Sequence, residues 1–147
     1  MILGLSADEA ARLRVAALSW IGTPFHPKAS VKNVGVGCIE LVVASYVEAD
    51  LLPTFHLGYP WGFWQNRADD EFFAALMSYF RVVPPPWEIG DALTFRKKPW
   101  PGTGHTALYV GGGDVVHAVA GRKVQRWPVA RTILDQTLSE GWRRLRG

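Results

Sequence analysis

The chain has 147 residues, an apolar fraction of 48% and a formal charge of +3, from 16 basic and 13 acidic side chains. That length and composition suit one globular domain with a real core and argue against disorder. One cysteine rules out an intrachain disulfide, and the positive charge, gathered in "FRKKPW" and the tail "WRRLRG", carries no nucleic-acid motif and reads as solvated surface or a protein contact.

The opening "MILGLSADEAARLR" is apolar for only five residues before it turns acidic, unlike a secretory signal. No later stretch reaches the roughly 18 to 20 apolar residues of a membrane span. The expectation is a soluble protein, synthesised in the cytoplasm, with no membrane partner. Ser6 followed by Glu9 reads as a capping box, and Leu13, Ala17, Trp20 and Ile21 then fall on one helical face. Gly22-Thr23-Pro24 ends that helix, because proline cannot continue the ladder and disfavours helical geometry just before it. Residues 25–37 read as loop. The next periodic stretch starts at or near Cys38 and sets Leu41, Val42, Ser45 and Tyr46 on one face.

"LPTFHLGYPWGFWQNR" is rich in aromatics, glycine and proline without a clean period, which predicts an irregular excursion, with a short helix following over 70–79. After "PPPWEIG", segments 91–95, 105–110, 115–119 and 124–127 read as short strands, "GGGD" as a hairpin turn, and 142–145 as one last strand. Helices first and antiparallel strands second predict an α+β fold in a single domain, 1–147, without linker or repeat.

Cys38 is the residue to explain. Free amide donors and the positive dipole end of a helix start push a thiol toward the reactive thiolate. The possible bases are four histidines, His26, His56, His105 and His117. His105, Ala107 and Tyr109 share one strand face, and a hairpin turning at Gly111 to Asp114 brings His117 beside His105 as a cross-strand neighbour. A cysteine at a helix start facing two histidines on adjacent strands supplies nucleophile, base and orienting group, the arrangement of acyl transfer. An inert core cysteine and a strand-end histidine bonded to a nearby carbonyl are the plainer readings of each residue alone. A zinc site on Cys38, His105 and His117 lacks the usual short Cys/His spacing, so neither metal nor other cofactor is expected. Glu40 tunes the thiol, meets a cationic substrate group, or is a solvated first-turn glutamate favoured by the dipole. Asp91 reads as a turn cap or strand-start residue and Asp114 as part of the hairpin turn.

These residues resemble the NlpC-like cysteine peptidases, compact papain-like domains that cleave cell-wall peptides. "WIGTPF" is similar to the family's Trp-x-Gly-Thr-Pro-Tyr motif and "VGVGCIELV" to its Asp-Cys-x-Gly-Leu-Val nucleophile helix. "IGDALTF" resembles its Gly-Asp strand and "HTALYVGGGDVVHAV" its histidine hairpin, with the family's spacing of twelve between His105 and His117. The loop "HPKASVKNVGVG" looks most like the branch in tail-assembly proteins of bacteriophages and gene transfer agents. The resemblance implies a papain-like NlpC-type fold, N-terminal helices packed on a small antiparallel β-sheet. It makes Cys38 the nucleophile, His105 the general base and His117 the group that orients it, with the Cys38 amide as oxyanion donor.

Four positions depart from the family pattern. Gly37 replaces the aspartate that helps bind the substrate's free amine, and Ile39 and Glu40 replace the serine and glycine after the cysteine. Phe25 replaces a tyrosine whose hydroxyl assists the oxyanion, a role neighbouring His26 would have to take. The resemblance implies a peptidoglycan peptide hydrolase in a phage or gene-transfer-agent tail, with tail-tip or hub proteins as partners. The alternatives are an inactive tail-tip or hub subunit that keeps the peptidase fold, and a cysteine acyltransferase or amidase acting on another amide.

Overall fold

A computed structural model of the chain describes residues 1–53, 79–96, 104–134 and 136–146. The aromatic stretch with His56, and all but the last residue of the helix expected over 70–79, lie outside the described residues. Helix α1 (Ala7–Leu18) opens on Ser6 as expected: the Glu9 amide donates to Ser6 Oγ and the Ser6 amide to Glu9 Oε1. Such a reciprocal cap stabilises a helix by about 1 kcal/mol. Leu13 and Ala17 are fully buried and Trp20 nearly so, but Ile21 is exposed, because the helix stops at Leu18 and the turn behind it swings Ile21 off the apolar face.

The segment expected as loop contains a short hairpin, β2 (Ser30–Val31) and β3 (Gly35–Val36). It is tied to the rest by His26 N–H to the Val36 carbonyl and Val36 N–H to the Pro24 carbonyl. Helix α2 (Cys38–Glu48) follows at once, with Ile39, Leu41, Val42, Ser45 and Tyr46 buried against α1 and the sheet. No helix among the described residues is long and apolar enough to cross a membrane.

The remaining strands are β4 (Phe80–Val83), β5 (Ala92–Arg96), β6 (His105–Gly111), β7 (Asp114–His117), β8 (Gln125–Pro128) and, after a short helix α3 (Val129–Thr132), β9 (Thr137–Arg146). With β1 (Ile2–Leu3) they form an antiparallel sheet in the order β1-β9-β5-β6-β7-β8, and β4 also pairs with β9. This is the predicted α+β architecture. Apolar side chains from its two faces build separate clusters, one beneath the helices around Leu108 and Val116, the other around Leu93, Phe95, Ala107 and Val115.

The basic tail belongs to the fold. Arg143 pairs with Asp91, Arg144 donates to the carbonyls of Leu51 and Tyr79, and Arg146 donates to the Gly4 carbonyl and pairs with Glu9. Gly90 holds the other anchor. Its φ of 99° and the 2.7 Å from a built Cβ to Tyr46 Oη leave room only for glycine, and Tyr46 of α2 donates to its carbonyl at 2.5 Å. Asp91 then accepts from the Glu88 amide, so it closes the turn immediately before β5, in line with the turn-cap role the sequence suggested.

Candidate active site

Two elements, α2 and β6, meet at Cys38. Gly37, extended at φ −84° and ψ 169°, is the N-cap of α2, so the first amides of the helix have no carbonyl partner within it. The amides of Cys38, Ile39 and Thr106 all interact with the Cys38 sulfur. Thr106 follows His105 on β6, so this contact fixes the helix start against the histidine strand.

His105 is 8% exposed and His117 1%. Their rings meet edge to face, and His105 Nε2 lies 2.8 Å from His117 Nδ1. The pairing Leu108↔Val116 sets His117 opposite position 107, so the two histidines are diagonal cross-strand neighbours rather than directly opposed. The direction of this bond depends on the tautomer; where His105 Nε2–H donates to His117 Nδ1, His105 Nδ1 is left as a proton acceptor and His117 carries its own proton on Nε2. That Nε2 is buried without a hydrogen-bond partner, and the His117 ring packs edge to face on Trp127 at 4.6 Å between centroids. Trp127 and the Arg131 guanidinium 3.9 Å from its ring centroid were not singled out from sequence. The signal was present: Gln125 and Trp127 alternate onto the face of β8 that His117 occupies on β7.

The electrostatics differ from the expected thiolate. Burial, reinforced by the Glu40 carboxylate, pushes the Cys38 thiol up to about 12, against the opposing pull of the Thr106, Ile39 and Cys38 amides. Burial, then His117, lowers His105 to about 3; burial, then Arg131, lowers His117 to about 4. Desolvation outweighs the helix terminus and favours a thiol and two neutral imidazoles at neutral pH, although Cys38 as a residue is only partly buried.

Gly37 and Glu40 form a unit. Glu40 Oε1 accepts the Lys28 amide at 3.1 Å, and a Cβ on Gly37 would overlap that same oxygen. The glutamate therefore folds back over the place where a side chain at 37 would stand. Replacing Glu40 by glutamine keeps an acceptor for Lys28 and removes the charge that raises the thiol. Glu40→Gln should speed alkylation of Cys38 by iodoacetamide at pH 8 by roughly three- to tenfold, and an unchanged rate would deny the carboxylate that role.

His26 is exposed, and its Nδ1 engages the Pro27 carbonyl at 3.2 Å, its one side-chain hydrogen bond among the described residues. Phe25 packs at the core margin and donates its amide to the Arg122 carbonyl, while its carbon ring offers no donor to an oxyanion. Among the described residues no three His, Cys, Asp or Glu side chains come together to hold a metal ion.

No family model and no curated protein matches the sequence. The fold does match solved structures. NlpC1 from Trichomonas vaginalis is similar with a TM-score of 0.67 and 18% identity over 94% of this chain and 46% of that one. A lipoprotein-like NLP/P60 family protein from Staphylococcus aureus is similar with a TM-score of 0.68 and 18% identity, over 98% and 44%. The NlpC/p60 domain of the peptidoglycan hydrolase SagA gives 0.57 and 21%, over 88% and 97%. The chain spans under half the length of the first two. At these identities the likeness is one of fold, and the fold is that of NlpC/P60 proteins.

Proposed function

We propose that the chain is a cysteine peptidase that hydrolyses amide bonds in the peptides of peptidoglycan. The observation that carries this reading is the hydrogen-bonded pair His105 and His117 on adjacent strands, with the amide of the next residue, Thr106, at the sulfur of Cys38. In the reaction His105 Nδ1 takes the thiol proton as the sulfur attacks the scissile carbonyl. The amides at the start of α2, that of Cys38 first, stabilise the oxyanion as the sulfur becomes bonded to carbon. His105 returns the proton to the departing amine. A water deprotonated by His105 then cleaves the thioester, releasing the new carboxyl group and restoring the thiol.

The chain acts, in this reading, from a phage or gene-transfer-agent tail, alongside tail-tip or hub proteins. The loop from His26 to Gly37, drawn out relative to the wall-peptidase motif, supports that placement, and mass spectrometry of purified particles tests it. The test of the activity is hydrolysis of purified peptidoglycan, with mass spectrometry of the released fragments. Wild type should release peptides and Cys38→Ala should release none; cleavage by Cys38→Ala would refute the assignment.

A second reading, a tail subunit that keeps the fold without the activity, is favoured by one observation. The resting site is neutral at both thiol and base, so it lacks the charged pair of a primed cysteine peptidase. Failure of folded wild type to cut walls of several compositions would select it.

A further inference from the structure

One cavity beside the site has no part in the chemistry above. It is open, about 430 Å³ in volume, and lined by Pro24, Phe25, Gly121, Arg122, Lys123 and Gln125. Its walls are two segments zipped together. Gly22 and Phe25 donate to the carbonyls of Val124 and Arg122, and Val124 donates back to Thr23. One wall leads to the nucleophile, since Phe25 bridges to Val36, two residues before Cys38. The other leads to the base, since Gln125 pairs directly with His117, and directly paired residues project on the same face. Adjacent strands lie about 5 Å apart and Cys38 is two residues beyond Val36, so the cavity is within roughly three or four peptide residues of the bond that Cys38 would attack.

The charge in this cavity is of one sign. Arg122 and Lys123 are exposed, and among the described residues neither is paired with a carboxylate. Asp114, on the strand next to β8, is already engaged by Arg126 at 2.9 Å. Arg122 is steadied 5.7 Å from the centroid of Trp127, the same ring that packs on His117. Trp127 Nε1–H donates to Gln125 Oε1 at 2.8 Å, which fixes that amide and leaves its two N–H groups as donors. Two cations and an oriented amide beside apolar Pro24 and Phe25 suit a compact anion on a partly apolar chain.

We propose that this cavity is a carboxylate-binding subsite of the same cleft, in which Arg122 and Lys123 hold a free carboxylate of the peptide whose amide is cut. The proposal rests on the peptidase reading and narrows it to substrates with an unamidated carboxylate a few residues from the scissile bond. Such a subsite sets specificity at a distance from the sulfur. It would position the chain by charge-assisted hydrogen bonds, which amidation of the carboxylate removes.

The test uses one wall stem peptide in two forms, with its α-carboxylates free or converted to carboxamides. Hydrolysis by wild type and binding to Cys38→Ala are measured in parallel, the latter by calorimetry. Wild type should favour the free form by roughly tenfold or more in kcat/KM, and Cys38→Ala should show a similar ratio of Kd values. In Arg122→Gln/Lys123→Gln both ratios should fall to about one. Equal handling of the two forms by wild type, or a ratio that survives in the double variant, overturns the subsite. Loss of binding to poly(glycerol phosphate) with the peptide ratio intact overturns it in favour of a polymer surface. Should the double variant fail to fold by circular dichroism, exposed Lys123→Gln alone must lower the ratio. If wild type cuts neither form, the peptidase reading fails, and the Kd ratio in Cys38→Ala still decides the subsite.

Discussion

Replacing His105 by alanine should lower kcat/KM for wall-peptide hydrolysis by about a thousandfold or more, since the proposed mechanism would lose its general base while burial holds the thiol's own ionisation far above neutral pH. In the proposed mechanism His117 acts through His105, as a positioning residue. His117→Ala should cost less, about ten- to a hundredfold in kcat with KM little changed, and His117→Asn, which keeps an acceptor for His105 Nε2–H, should recover part of it. A merely structural role would give no such rescue. With His105 lowered to about 3, the wild-type profile should show no acid limb near 6.5 from titration of the base.

Activity should be limited on the acid side by folding. Both histidines have depressed folded pKa values, so their contribution is present above the unfolded value near 6.5 and is lost as pH falls through about 4 and about 3. Loss of activity below about pH 5 should therefore coincide with loss of the folded state by circular dichroism. A limb near 6.5 in protein that remains folded would contradict this electrostatic account.

Asp91→Ala should cost about 3–5 kcal/mol of stability, lowering Tm by about 10 °C. The Asp91 side chain is 1% exposed and takes a two-pronged grip from Arg143, Nε at 2.9 Å and Nη2 at 2.8 Å, while also accepting the Glu88 amide. Alanine there strands a guanidinium that is itself only 16% exposed and frees the start of β5 from β9. Asp91→Asn, retaining the shape and one acceptor, should fall between. Urea unfolding reads the difference, and a loss below about 1 kcal/mol would mean that Glu88, the other carboxylate on Arg143, suffices alone.

Much of the site's scaffold could be read from residue order. Ser6 and Glu9 announce α1, the spacing of Leu41, Val42, Ser45 and Tyr46 announces the buried face of α2, and glycines 111–113 announce the hairpin that brings the histidines together. Strand β9 was legible only in its last part, because its arginines read as a solvated tail until Asp91, Leu51, Tyr79, Gly4 and Glu9 are seen to receive them. The β2–β3 hairpin was hidden for a different reason: two-residue strands have no periodicity to detect. The ionic state of Cys38 was also out of reach. Its helix position argued for thiolate, whereas the answer depends on how deeply the sulfur is desolvated and on where Glu40 turns back.

The hub position of β9 has a consequence for biosynthesis. Strands β1, β4 and β5 all find a partner in residues 137–146, so each leaves the ribosome well before that partner exists. At ~5–20 residues per second the earliest of them waits for seconds with its edge exposed. Unpaired edges invite pairing with other chains, so the nascent protein passes through an interval in which holding chaperones matter most. The ten residues of β9 end it, completing the sheet and seating Arg143 on Asp91.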